Sequence, residues 1–238
     1  MGVFSKIYKN ANKQSKASLS ERQQLTVAVW TPGGSDGCPV ALELAGLLSR
    51  LTGGQGVIAE LPCLGIPRLA LHVDRYDKEK NTDKLLLDWE RSEYQQVYAA
   101  QYLLPVSDSL AVLAINPYAA PDLPPHLKLN NLITLTDFPR YLKDSLFLEG
   151  YQYLIYLLQG QLHHPMTFFG LKESEQVIFT LNHPIELGWC LSCFKKLTEH
   201  YKERKEKFSL YATALEAKAI AGISSIKYLS SLESLINV

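Results

Sequence analysis

The sequence has no net charge, since 24 Lys and Arg balance 24 Asp and Glu. No whole-molecule field therefore draws it toward nucleic acid or an anionic membrane. Long apolar runs are also missing, and none reaches the roughly 18 residues of a membrane-spanning helix. The first ten residues, MGVFSKIYKN, lack the apolar core of a secretory signal. Gly2 does not open a myristoylation motif, because Lys6 stands where Ser or Thr is required. Four cysteines in 238 residues are too few for a disulfide framework. His72, His126, His183 and His200 are scattered without triad spacing. The 13 tyrosines lack the basic interleaving of a nucleic-acid stacking surface. These absences predict a cytoplasmic globular protein without a nucleic-acid partner. Lysine is absent too from Trp30 to Leu51, where its absence matters most.

At 238 residues and 47% hydrophobic composition, the chain can bury one core of ordinary size. Residues 1–23 are polar and carry Lys6, Lys9, Lys13, Lys16 and Arg22 against Glu21. They read as a flexible basic tail. Val3, Phe4, Ile7 and Tyr8 would share one helical face, which offers peripheral contact with the inner face of a membrane as the alternative. Residues 24–238 read as a single domain. LTVAVW (25–30) is a predicted strand and Pro39 to Arg50 a helix, with Val40, Leu44, Leu47 and Leu48 on one side. Strands follow at 55–61, 109–116, 151–158, 176–181 and 208–215, with helices at 82–103, 137–149 and 185–205. NLITLT (131–136) has the composition of a short strand, and the residues after 215 read as helical. Continuous apolar strands alternating with helices predict an α/β three-layer sandwich around a mainly parallel sheet. The segment WTPGGSDGCPVALELAGLLSRL then lies at the carboxyl end of the first strand, where open parallel sheets place their ligands.

Strand, Gly33-Gly34 loop and apolar helix resemble the opening of the MinD/ParA class of deviant P-loop ATPases, whose signature reads roughly K-G-G-x-G-K-[TS]-T. VALELA (40–45) matches the helix after that loop. VIAELPCLGIPRLAL (57–71), EGYQYLIYLLQG (149–160) and ESEQVIFTLNHPIEL (173–187) resemble further strands of the class, in order. The resemblance implies a P-loop NTPase-like fold over about residues 24–200, and it makes 131–136 a loop.

Departures from that pattern carry the functional expectation. Pro32 stands in place of the signature lysine, Gly37 in place of the phosphate-contacting lysine, and Cys38 where Ser or Thr would hold Mg²⁺. Asp36 replaces a loop glycine. Glu60 keeps its acidic turn, but Pro62 replaces an aspartate, and Leu157 replaces the Walker-B-like aspartate. Phosphoryl transfer depends on positioning and charge neutralisation, and those groups are missing. Gly33, Gly34, Ser35, Asp36, Gly37, Cys38 and Glu60 are therefore read as a vestigial nucleotide-binding loop without catalytic residues. Its backbone amides could still hold ATP or ADP, but no cofactor is expected. A plain glycine turn, with Ser35 or Asp36 capping the helix and Pro39 in its first turn, is the competing reading.

A second motif, GWCLSC (188–193), resembles the redox pair of thioredoxins and nominates Cys190 and Cys193. Their expected place inside a helix favours core packing instead. A zinc site there would need His163-His164 as a second pair, and no metal is expected. The basic run from Lys195 to Lys207 reads as a solvated, ion-paired helix face. Within the MinD/ParA class the nearest resemblance is to CpaE/TadZ proteins, which help localise pilus or secretion machinery. It implies a pseudo-ATPase with protein partners and possible homodimer formation. The alternatives are an ATPase or partitioning switch with an atypical loop, and a thiol oxidoreductase.

Overall fold

The computed structural model describes residues 24–62, 66–95, 97–118, 132–212 and 225–235. The reading of residues 1–23 as a tail lies outside them. Among the described residues, eight strands form one sheet in the order β3-β4-β2-β5-β1-β6-β7-β8. They are β1 (Leu25–Trp30), β2 (Gly56–Glu60), β3 (Leu104–Ser107), β4 (Leu110–Leu113), β5 (Tyr153–Leu158), β6 (Gln176–Leu181), β7 (Phe208–Ala212) and β8 (Lys227–Leu229). All neighbours pair in parallel except β3 with β4, an antiparallel hairpin at one edge.

Both β1 and β5 are buried at every residue, as expected for central parallel strands covered on both faces. One face packs on α1 (Cys38–Thr52) and α2 (Leu69–Val73), with Val27, Val29, Ile155 and Leu157 against Val40, Leu44, Leu48 and Leu69. The other packs on α3 (Thr82–Arg91), α4 (Leu132–Leu148), α5 (Pro165–Glu173) and α6 (Glu186–Lys195). There Trp30, Tyr156 and Phe179 meet Trp89, Phe138, Met166 and Phe194. The result is the three-layer α/β sandwich predicted from the strand pattern.

Local departures have local causes. The helix expected over 82–103 stops at Arg91, where Ser92 Oγ donates to the Trp89 carbonyl at 2.7 Å. Glu93 and Tyr94 then adopt left-handed φ values of 55° and 64°. The turn brings the Tyr94 ring edge-on to Trp89, which also stacks on Tyr141 at 4.6 Å. Residues 104–107, which had no predicted element, form β3, and the strand expected at 109–116 shortens to β4. NLITLT is neither strand nor loop from residue 132 onward: α4 begins there. Thr134 is buried and donates to Glu90 Oε1 at 2.5 Å, while Leu135 and Phe138 enter the core. Tertiary contact here overrides the β preference of Ile133, Thr134 and Thr136.

α6 ends at Lys195 in a π turn, Lys196–His200, and Lys202 is left-handed at φ 59°. Lys195 pairs with Glu199 at 3.9 Å on the surface as expected. Lys207, however, is buried, with its Nζ on Glu203 Oε2 at 3.1 Å and on the Lys172 carbonyl at 3.3 Å. It therefore does not belong to a solvated face. Beyond residue 215 the described residues form β8 and a 3-10 turn (Leu232–Leu235) rather than an α-helix. Helices α2 and α5 had no counterpart in the sequence reading.

Candidate functional site: a closed loop at the end of the central strand

β1 delivers the chain into Thr31–Gly37, and α1 starts at Cys38 with Pro39 in its first turn. Thr31 N donates to the Leu158 carbonyl at 3.0 Å, and Gly34 N turns back to the Thr31 carbonyl at 3.0 Å. The Asp36 carboxylate accepts from Cys38 N at 2.9 Å through Oδ1. The amides of Gly34 and Cys38 are thus engaged by the loop itself. The N-cap of α1 is Gly37, without a side-chain cap bond, so neither Ser35 nor Asp36 is the cap, and Asp36 reaches the first helical amide from one residue outside. Arg68 Nη1 donates to the Gly34 carbonyl at 3.2 Å and fastens the loop to the start of α2.

Two glycines are closely approached by side chains. A Cβ on Gly33 would lie 2.7 Å from Glu186 Oε1. A Cβ on Gly37 would lie 3.1 Å from both Leu157 Cδ1 and Thr31 Cγ2. Glu186, the first residue of α6, is buried and turned into the loop. Its Oε1 accepts from the Ser35 hydroxyl. Its Oε2 accepts from the amides of Asn182 at 3.0 Å and His183 at 3.4 Å. Asn182 Nδ2 in turn donates to the Asp36 carbonyl at 3.1 Å. A carboxylate of the protein's own thus lies in the loop.

Glu60 is buried at the carboxyl end of β2. Its Oε1 accepts from Arg68 N at 2.8 Å, Leu69 N at 3.3 Å and Gln159 Nε2 at 3.0 Å, and its Oε2 from Ile115 N at 3.2 Å. Burial raises its pKa despite these donors. Glu60 therefore ties the start of α2 to β2, β4 and β5.

Asp36 does not point a bare charge into the loop. Its Oδ2 meets His72 Nε2 at 2.6 Å. Burial works against the carboxylate, but the Cys38 amide and His72 outweigh it and hold its pKa below the usual value. Cys38 is fully buried, and burial followed by the Asp36 charge pushes its thiol well up.

Beside the loop, a cleft of about 560 Å³ opens between Pro32–Gly34, Ile66 and the segment after β5, Gln159–Pro165. His163 and His164 line it, so the only histidine pair considered for a zinc set belongs to this cleft. Cys190 and Cys193 lie inside α6, packed in the core with Phe194 and Phe208. Burial first, then the charges of Cys193 and Glu186, pushes the Cys190 thiol up. Burial lifts Cys193 to about 11. Both are free thiols, with neither the exposure nor the helix-end position that makes a thiolate reactive.

The space at Gly33 and Gly37 is taken up by side chains of the protein itself. Leu157 and Thr31 crowd Gly37, where a phosphate-binding side chain would stand, and Glu186 fills the space beside Gly33. Sequence reasoning missed Glu186, His72 and Gln159. The HPIEL stretch, placed at a helix start, was the one available signal for Glu186.

A mainly parallel sheet with a glycine loop between its central strand and α1 defines a P-loop NTPase-like fold. Solved structures make it more specific. A plasmid partition protein from Borrelia burgdorferi matches with a TM-score of 0.63 and 11% identity, covering 90% of this chain and 96% of that one. A ParA family ATPase from Chlorobium tepidum matches at 0.56 and 13%, covering 90% and 81%. A chain of the MinC:MinD cell division protein complex from Aquifex aeolicus matches at 0.54 and 12%, covering 89% and 76%. The chain therefore has the fold of the ParA/MinD-like P-loop ATPases. No family model and no curated protein sequence matches it.

Proposed function

We propose that this chain is a catalytically degenerate MinD/ParA-like pseudo-ATPase that works as a scaffold or localisation factor through protein partners. The observation that carries this is Glu186, whose carboxylate lies in the loop and meets Ser35, Asn182 and His183. Phosphate entering the loop would meet that carboxylate; no lysine lies between Trp30 and Leu51, and the neighbouring Arg68 guanidinium is engaged with the Gly34 carbonyl. The missing groups are those on which phosphoryl transfer depends.

Protein partners are supported by the fold: its neighbour from Aquifex aeolicus is part of a complex between two proteins. A finer role with pilus or secretion machinery rests on the resemblance to CpaE/TadZ proteins, which also tend to lose the loop lysine. Affinity purification from the native host tests that finer role. Recovery of pilus or secretion components supports it, and their absence counts against it.

Any homodimer is expected to form without nucleotide. Sedimentation velocity with and without Mg²⁺-ATP tests the coarser proposal, with unchanged profiles expected. An ATP-driven shift from monomer to dimer would overturn it. Peripheral membrane contact through residues 1–23 belongs to the same proposal. Co-sedimentation with anionic vesicles should then disappear when those residues are deleted.

A further inference from the structure

The sequence offers no metal-ligand spacing around the loop, yet the fold gathers three different donors there. Asp36 and His72 are 36 positions apart in sequence. Even so, the Asp36 carboxylate, the Cys38 sulfur and a His72 ring nitrogen all lie within 4.8 Å of one another. We propose that Asp36, Cys38 and His72 bind a zinc-class divalent ion.

The donor set selects the ion. Mg²⁺ and Ca²⁺ take oxygen ligands, whereas a thiolate, an imidazole and a carboxylate together suit zinc. Two anionic ligands and one neutral ligand would balance the double positive charge, giving a neutral site at the buried end of α1. The thiol proton leaves to solvent as the sulfur–metal bond forms.

Access and geometry are both suitable. Cys38 is fully buried, while the side chains of Asp36 and His72 are 31% and 33% exposed. An ion can therefore arrive from the His72 side. Tetrahedral zinc with bonds of about 2.0–2.3 Å sets its ligands roughly 3.3–3.8 Å apart. The His72–Asp36 contact of 2.6 Å must open by about an ångström, while the Cys38 sulfur already lies within 4.8 Å of both partners. Rotation of the two partly exposed side chains accomplishes this. Three protein ligands leave a fourth position open toward solvent, as in zinc sites that accept an exchangeable ligand.

The surroundings supply an outer hydrogen bond. Gln159 Nε2 lies 4.0 Å from Cys38 Sγ and donates to Glu60. Its own Oε1 is buried without a partner among the described residues. Gln159 thus stands where metal sites place the groups that orient a ligand. The inference concerns metal binding alone and holds whether or not nucleotide binds elsewhere.

Cobalt is the probe. Full-length protein, stripped with a chelator and kept reduced without thiols, is titrated with Co²⁺. One equivalent should produce a sulfur-to-cobalt charge-transfer band and the visible bands of tetrahedral cobalt, and Zn²⁺ should bleach both. Cys38→Ser should abolish the charge-transfer band. His72→Gln, at a partly exposed position, should weaken binding at least tenfold. Circular dichroism on the metal-free variants establishes that they are folded. Cys190→Ser/Cys193→Ser should leave the spectrum unchanged. Absence of a stoichiometric signal, its persistence in Cys38→Ser, its loss in the Cys190/Cys193 variant, or undiminished affinity in His72→Gln would each overturn the proposal.

Discussion

Glu186 Oε1 lies 2.7 Å from the point where a Cβ on Gly33 would sit, so the loop closes on a carboxylate supplied by α6. That relationship joins the ends of β1 and β6, and it accounts for glycine at position 33 without invoking phosphate.

Glu186→Ala should destabilise the protein. It removes the acceptor for the Ser35 hydroxyl and two amides, and partial solvent access softens the loss. We expect about 2 kcal/mol, from roughly 1–3 kcal/mol for an abandoned buried partner. A shifted urea midpoint at constant slope is the measurement. The proposal expects no ATP hydrolysis from the variant or from the parent protein.

Gly37 and Leu157 should be energetically coupled. Gly37→Ala places a methyl 3.1 Å from Leu157 Cδ1 and should cost about 1–3 kcal/mol through overpacking. In a Leu157→Ala background the same change should cost less, by at least 0.5 kcal/mol on the scale of contacting pairs. Additive costs would mean that the loop gives way freely. Gly37→Lys should not create turnover, since Leu157 and Cys38 still stand where the resembled family would place its Mg²⁺-orienting carboxylate and hydroxyl.

Cys190 and Cys193 should resist a thiol reagent in the native protein and react once it is unfolded, as mapped by mass spectrometry. Their double serine variant should fold at a modest stability cost. Rapid native labelling, or insulin reduction that the variant loses, would return the oxidoreductase reading.

The pH dependence has a defined sign at Glu173. This carboxylate receives Arg140 Nε at 3.1 Å and Lys143 Nζ, and so links α5 to α4. Burial opposes its charge, but the Lys143 and Arg140 bonds prevail and its pKa falls below 4.5. A depressed acid pKa stabilises the fold above the unfolded value and loses that contribution as pH falls through the folded value. Thermal stability should therefore drop below about pH 4.5. Glu173→Gln should be less stable at neutral pH and flatten that part of the profile.

The fold was legible where burial dominates sequence choice. LTVAVW and QVIFTL are β1 and β6 at the predicted residues, and Val40, Leu44, Leu47 and Leu48 form the buried side of α1. Long-range polar contacts left no such periodic trace. Ser35 and Glu186 are 151 positions apart, and nothing at either position signals that the fold brings them together. Thr134 misled for a related reason, because its β preference yields to a hydrogen bond with Glu90 across two helices. For the loop, the sequence offers only its departures from the signature it resembles. What stands in place of the missing groups, Leu157 against Gly37 and Glu186 against Gly33, depends on packing that only the assembled sheet defines.

The most direct test of the closed loop is thermal unfolding with ATP or ADP, each with and without Mg²⁺. A ligand at 100 times its dissociation constant adds about 2.7 kcal/mol, which is easily visible as a shift in Tm. The account predicts no shift under any of the four conditions. A reproducible Mg²⁺-dependent rise in Tm would contradict it and return nucleotide binding to the loop.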